Sequence, residues 1–150
     1  MPFLPGGADA VVTLLEGFEF ELLGVPTLPS LLSRGIDWHH VPIRDVDIPE
    51  CLFEGNWPKS GQRLRTILAN GGKVLLHCCG GIGRTGTIAA KSLVGSGYKP
   101  ADAIALVRRT HPGTIETAAQ ERYVLNLKRW RGFSSNIRSG PTGVKPEIFY

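Results

Sequence analysis

The sequence predicts an α/β domain with a central, mainly parallel sheet flanked by helices. Short apolar runs of strand length alternate along the chain with longer amphipathic runs, an alternation typical of parallel α/β folds. Glycine and proline residues separate these runs. The chain has 150 residues, of which 42% are hydrophobic and 20% are charged, so it is large enough for one domain with its own core.

The first strand and two short helices are predicted near the start of the chain. Residues 10–15 are apolar apart from one threonine, as expected of a buried strand. Residues 18–23 and 28–33 are short helical candidates, and Gly35 ends the second of them.

The second strand is predicted at residues 36–41, where Pro42 interrupts it. Residues 43–57 then have the composition of a long loop, and a loop of that length in a compact domain is usually functional. Residues 59–70 are predicted to form a helix that stops at Gly71.

The third strand, residues 73–77, leads directly into a glycine-rich turn and then into a helix over residues 85–94. A further helix is predicted over residues 100–110, because its proline suits a first helical turn, and a last one over residues 116–131.

The sequence therefore predicts a folded domain over residues 1–131. Residues 132–150 are rich in serine, glycine and proline, which predicts a flexible tail. Ile148 to Tyr150 are apolar enough to dock on the domain.

Charge and cysteine content argue against several classes of protein. The net charge of +4 is spread along the chain, so it favours anionic ligands without implying nucleic acid. Three cysteines, an odd number, exclude a full disulfide framework and indicate a reducing compartment. The sequence shows no secretory signal pattern and no apolar run of membrane-spanning length. We therefore expect a cytoplasmic protein without membrane or nucleic-acid partners, in an oligomeric state that the sequence leaves open.

One stretch, HCCGGIGRTGT from His77 to Thr87, carries the strongest chemical signal. It places Cys78 and Arg84 at the two ends of a glycine-rich turn between a strand and a helix. Backbone N–H groups in such a turn converge on an anion, and a thiol beside a helix N-terminus and a cation ionises readily. The guanidinium adds two parallel donors for phosphate oxygens. The loop can therefore bind a phosphate dianion and attack it with a thiolate.

Neighbouring residues have supporting roles in this chemistry. Thr85 is placed to donate a hydrogen bond to the sulfur, and His77 to fix the backbone of the loop. The loop residues predicted to bind the substrate besides Arg84 are Cys79, Gly80, Gly81, Ile82 and Gly83. The alternative is a glycine-rich turn around an inert cysteine.

The loop resembles the signature of cysteine-dependent protein phosphatases, H-C-x5-R-S/T. Within them the chain resembles the dual-specificity group and most closely the kinase-associated phosphatase (cyclin-dependent kinase inhibitor 3-like) family. Residues 24–26, 39–45 and 113–120 fall at similar spacings in that family. The resemblance covers about residues 8–130 and implies a dual-specificity phosphatase-like fold. Family members usually carry another strand or two before the position of Ala10, so the leading edge of this domain is expected to be short.

The resemblance also implies a general acid and a residue that positions water. Pro42-Ile-Arg-Asp45 matches the family's proline–apolar–x–aspartate pattern, which implies Asp45 as the proton donor. Asp47 is the alternative, and either carboxylate is otherwise a solvated loop residue. Gln120 resembles the glutamine that positions water against the phosphocysteine, or else it is an ordinary helix-surface residue.

The function expected from these residues is hydrolysis of phosphotyrosine, phosphoserine or phosphothreonine in a phosphoprotein or phosphopeptide. Thiolate, arginine and acid complete the cycle, so no cofactor and no metal is expected. One alternative is a phosphatase for phosphoinositides or small phosphate esters, although the uncharged loop interior argues against a highly phosphorylated headgroup. The other is a phosphoprotein-binding module with little turnover.

Overall fold

Four parallel strands form one sheet in the computed structural model, which describes residues 7–128 and the backbone of Ile148 and Phe149. The strands are β1 (Ala10–Thr13), β2 (Asp37–His40), β3 (Val74–His77) and β4 (Ile148–Phe149). Their order across the sheet is β2-β1-β3-β4, and every pairing is parallel. The predicted α/β architecture with a parallel sheet is confirmed.

Helices fill the connections between the strands. In residues 7–128, two helices follow β1, one follows β2 and three follow β3, in the order that the sequence predicts. Within the described residues they are α1 (Gly17–Leu22), α2 (Leu28–Gly35), α3 (Cys51–Ala69), α4 (Gly83–Gly95), α5 (Pro100–Thr110) and α6 (Ala118–Leu125).

Helix α3 begins earlier in the chain than the sequence predicts, so the expected loop over residues 43–57 is wrong in its second half. Gly55 and Pro58 both lie inside this helix. In the sequence, both residue types argue against a helix. A proline removes one backbone donor and crowds the carbonyl four residues earlier, but the buried apolar face of the helix continues on both sides of Pro58. Phe53 and Trp57, one turn apart, are buried with their rings stacked 5.3 Å apart.

Helix α6 is shorter than the predicted segment 116–131. Thr117 caps its start, since the threonine hydroxyl accepts the backbone N–H of Gln120. The helix ends at Leu125, and the N–H of Asn126 bonds to the carbonyl of Arg122 in its last turn.

The strand ends align so that three loops leave the sheet at one edge. Thr13, the last residue of β1, is in register with His40 at the end of β2 and with His77 at the end of β3. The chain segments that follow these three residues therefore start side by side, at the carboxyl edge where parallel sheets bind ligands. Helix α4 packs behind that edge, with Ile88, Ala89 and Ala90 fully buried.

The predicted tail lies outside the described residues apart from β4. The backbone of Ile148 and Phe149 pairs with Val74 and Leu75 of β3. No helix in the described part of the chain is both long and apolar enough to cross a bilayer.

Candidate active site

The loop between β3 and α4, residues 78–82, is called the cysteine loop here. Gly81 has a φ of +67°, a conformation that L side chains rarely adopt. Cys79, Gly80 and Ile82 are exposed, and no residue of the loop is charged. Helix α4 starts directly after the loop, so its unpaired first-turn N–H groups open toward it.

Cys78 lies half-buried at the start of this loop. The hydroxyl of Thr85, which is fully buried in the first turn of α4, donates a hydrogen bond to Sγ over 3.0 Å. A donor at this distance stabilises the sulfur as a thiolate. The structure brings these two sequence-predicted residues together.

Arg84 is buried and held by a carboxylate that the sequence prediction missed. Its Nη1 and Nη2 donate to the two carboxylate oxygens of Glu19 over 2.7 and 2.9 Å, and only 1% of Arg84 is exposed. Nη1 also donates to the carbonyl oxygen of Ile43 over 3.0 Å. Such a bidentate pair fixes the guanidinium plane.

The pKa values of the pair follow from this contact. Burial opposes the charge on Arg84, but the hydrogen bonds and charge of Glu19 outweigh it, so the pKa of Arg84 is raised. The Asp45 carboxylate and the Cys78 sulfur add smaller contributions in the same direction. The hydrogen bond from Arg84 in turn lowers the pKa of Glu19. Both side chains therefore stay charged at neutral pH.

Glu19 is further fixed by its own helix. The backbone N–H of Glu16 donates to Oε2 of Glu19 over 2.7 Å, as in a capping box at the start of α1. In the sequence, the only signal for this role of Glu19 is its position, in the helix that follows the carboxyl end of strand β1.

One donor of Arg84 is left without an acceptor. Its Nε is buried and makes no hydrogen bond to any group in the described residues. A buried N–H without a partner costs about 1–3 kcal/mol, so it favours a ligand that supplies an oxygen.

The segment between β2 and α3, residues 41–50, is called the aspartate loop here. Oδ1 of Asp45 lies 3.2 Å from Nη2 of Arg84, and the Asp45 side chain is 69% exposed. Asp47 is half-buried, and its carboxylate accepts the N–H of Ile48 over 2.8 Å. Of the two candidate acids, Asp45 is therefore the one whose carboxylate contacts Arg84.

Gln120 is fully buried and links the aspartate loop to the segment just before α6. Its Oε1 accepts the backbone N–H groups of Glu116 and Thr117 over 3.0 and 3.1 Å. Its Nε2 donates to the carbonyl oxygen of Asp47 over 3.1 Å. A Cβ placed on Gly83 would lie 3.1 Å from the same Nε2, so the amide also packs on the start of α4. In this conformation both ends of the amide bond to the backbone.

Histidines 39 and 40 have structural partners. Nδ1 of His39 lies 2.9 Å from Oγ of Ser60, and its Nε2 lies 3.1 Å from the carboxylate of Asp37. Nε2 of His40 lies 2.7 Å from the carbonyl oxygen of Leu15. Within residues 7–128, His, Cys, Asp and Glu side chains do not gather into a group of three that would hold a metal ion.

Comparisons with known proteins agree with this geometry. A sequence model of the family described as "Tc-R-P: Polymorphic toxin system, DSP-PTPase phosphatase" matches residues 6–98. Cyclin-dependent kinase inhibitor 3 of Rattus norvegicus is 36% identical over 123 residues, which cover 79% of this chain and 56% of that protein. The chain thus spans about half the length of the curated relatives it matches.

Solved structures show the same similarity. A crystal structure of kinase associated phosphatase, with serine substituted for its catalytic-site cysteine, matches with a TM-score of 0.69 at 30% identity. That match covers 79% of this chain and 67% of the other. The active form of Tk-PTP matches with a TM-score of 0.64 at 35% identity, over 79% of this chain and 76% of the other.

Proposed function

The chain belongs to the DSP-PTPase family of dual-specificity and tyrosine phosphatases, and from this membership we propose that it hydrolyses phosphorylated protein side chains through a phosphocysteine intermediate on Cys78. The observation that carries the proposal is the set of hydrogen bonds that the Arg84 guanidinium makes and leaves open. This guanidinium is locked by Glu19 beside the cysteine loop, and one buried N–H has no acceptor among the residues that the structure describes. A phosphate oxygen is the acceptor that completes this donor set.

The proposed first step transfers the phosphoryl group to sulfur. The Cys78 thiolate attacks phosphorus, a P–S bond forms, and the bond from phosphorus to the ester oxygen breaks. Arg84 and the loop N–H groups stabilise the charge on the three equatorial oxygens. Asp45 gives its proton to the leaving oxygen, and Thr85 stabilises the sulfur when it later leaves as a thiolate.

In the second step water attacks phosphorus, the P–S bond breaks, and inorganic phosphate leaves. Asp45, now ionised, accepts the proton of the water. The resemblance implies that Gln120 positions this water. To do so its amide must first release the backbone groups that it now bonds, since its oxygen already accepts two N–H groups.

The proposed substrate is a phosphotyrosine, phosphoserine or phosphothreonine side chain in a phosphoprotein. The loop positions that surround the phosphate carry no cationic side chain for a second phosphate group. The relatives named above are protein phosphatases, which supports a protein substrate over an inositol lipid. Because Cys78 reacts as a free thiol, we place the protein in a reducing compartment such as the cytoplasm.

The test compares three variants on one phosphotyrosine peptide, with released phosphate as the readout. Cys78→Ser should abolish turnover, and unchanged turnover by this variant would refute the mechanism. Asp45→Asn should lose the alkaline limb of the pH–rate profile and regain activity on an ester with an acidic leaving group. Asp47→Asn is the matched control. It should keep the alkaline limb of the profile and should show no such recovery on the ester with an acidic leaving group. Faster turnover of inositol phosphate lipids than of phosphopeptides would refute the proposed substrate class.

A further inference from the structure

Three side chains on neighbouring strands form a hydrogen-bonded chain that ends at the cysteine loop. Nε1 of Trp38 on β2 donates to Oγ1 of Thr13 on β1 over 2.8 Å. The same Oγ1 lies 2.8 Å from Nε2 of His77 on β3. His77 is the last residue of β3 and directly precedes Cys78. We call Trp38, Thr13 and His77 the relay.

The register of the sheet explains why these residues meet. Thr13 is in register with His77, and Trp38 is in register with Val11, two positions before Thr13. Residues two apart on a strand share a face, so all three side chains lie on one face of the sheet. The Trp38 ring is stacked on His40 at 5.3 Å, which holds the indole in place.

The chemistry of the partners fixes the direction of the relay. An indole N–H only donates, so Thr13 accepts from Trp38. Thr13 is fully buried, and among the described residues the only other partner of its hydroxyl is Nε2 of His77. A buried hydroxyl proton needs an acceptor, so it points at Nε2, which must then carry no proton. A neutral ring with a bare Nε2 carries its proton on Nδ1.

This tautomer matters for the nucleophile because His77 directly precedes Cys78. Burial lowers the pKa of His77, the Cys78 backbone opposes that shift, and the nearby His40 adds to it. With Nε2 accepting from Thr13, Nδ1 is the ring atom that is left to donate.

We propose that Trp38 and Thr13 are positioning residues, which set the tautomer and the ring orientation of His77 and through it the placement of the adjoining Cys78. The effect on turnover rests on the proposed function, whereas the tautomer itself does not. The groups that face His77 are the Thr13 hydroxyl, the His40 ring and the Cys78 backbone. Trp38 and Thr13 touch no reacting atom and act only through His77.

The first measurement is the ¹⁵N spectrum of the His77 ring in protein with labelled histidine, assigned with His77→Asn. Wild type should show a protonated Nδ1 and a bare Nε2. Thr13→Val removes the hydroxyl that bonds Nε2, so the Nε2 signal should shift and the ring should no longer be held in one tautomer, whereas Thr13→Ser should keep the wild-type pattern. A protonated Nε2 in the neutral wild-type ring, or an unchanged spectrum in Thr13→Val, overturns the proposal.

The second measurement is turnover of an aryl phosphate. Thr13→Val should lower kcat on the order of tenfold or more with a smaller change in KM, because a small misplacement at the reacting centre can cost about 100-fold. Thr13→Ser should recover most of that loss. Thr66→Val, which removes a hydroxyl bonded within α3 to Gln62, is the control and should leave kcat unchanged.

The two measurements separate the possible failures. If wild type hydrolyses no phosphate ester, the proposed function fails while the spectrum still tests the relay. If Thr13→Val does not fold by circular dichroism, Trp38→Phe replaces it, since phenylalanine keeps a stacking ring and lacks the N–H. In that variant Thr13 is free to accept from Nε2, so a mixture of tautomers supports the relay, and a pure Nδ1–H form refutes it.

Discussion

Glu19 is expected to contribute more to stability than any exposed carboxylate on the same helix. In Glu19→Ala the guanidinium of Arg84, 1% exposed, loses both of its bonds to Glu19 but stays buried. Removing one partner of a buried ion pair costs about 3–5 kcal/mol. With a urea m-value of about 2 kcal/mol/M, the unfolding midpoint should fall by about 1.5–2.5 M.

The matched control for this loss is Glu21→Ala, two positions along α1. Glu21 is exposed, and an exposed substitution of this kind should change the free energy of unfolding by about 0.5 kcal/mol or less. Activity supplies a second readout, because an unlocked Arg84 should raise KM for an aryl phosphate and lower kcat in Glu19→Ala alone. Equal midpoints for the two variants would refute the argument that the pair is buried and structural.

The pH dependence of the same pair has a defined sign. Contact with Arg84 holds the pKa of Glu19 below its ordinary value of 4.5. Its charge therefore contributes stability that is fully present above about pH 4.5 and is lost as the pH falls through the lowered value. Glu19→Gln lacks this charge, so the gap in free energy of unfolding between wild type and this variant should close below pH 4.5. A gap that stays constant from neutral to acid pH would contradict this origin of the stabilisation.

Three further predictions concern packing, protonation and the aspartate loop. Gly86→Ala should lower the free energy of unfolding by about 1–3 kcal/mol, because the added Cβ would lie 2.9 Å from the backbone N of Ile115. Gly95→Ala, on the same helix, places its Cβ near only the end of the flexible Arg65 side chain, so it should lower the free energy of unfolding less. Urea melts of the two variants measure this difference. Burial lowers the pKa of His77 from its ordinary value of 6.5. Wild type should therefore lose stability relative to His77→Asn as the pH falls below 6.5. Parallel curves of the free energy of unfolding against pH for the two proteins would contradict this. Gln120→Ala removes the amide that is proposed to position water, so with an activated aryl phosphate it should give a burst of leaving group followed by slow phosphate release. Slower hydrolysis without a burst would contradict that role and indicate that the bond to the Asp47 carbonyl matters instead.

The sequence predicts most of the fold because its signals are local. Strand β3, the glycine turn and helix α4 are adjacent in the chain, so Cys78, Thr85 and Arg84 are found together by spacing alone. Pro58 shows the limit of local signals, because the buried stacking of Phe53 on Trp57 outweighs a helix breaker.

The partner of Arg84 could not be predicted in the same way. Glu19 lies 65 residues earlier in the chain, in a six-residue helix that is otherwise mostly exposed. Its role depends on the alignment of β1 and β3, which brings the segments after Thr13 and His77 to one edge of the sheet. A carboxylate just beyond the central strand is the pattern to search for in related sequences.

The two carboxylates around Arg84, Glu19 and Asp45, have different roles because their burial differs. Glu19 is buried and bidentate, so it neutralises and orients the guanidinium permanently. Asp45 contacts the same guanidinium from a side chain that is 69% exposed, and such a pair is worth about 1 kcal/mol or less. We therefore expect an arriving phosphate dianion to displace Asp45 without disturbing the pair with Glu19. Asp45, released from the cation, is then free to carry the proton that the leaving oxygen requires. A carboxylate that was buried and fixed to Arg84, as Glu19 is, could not do this.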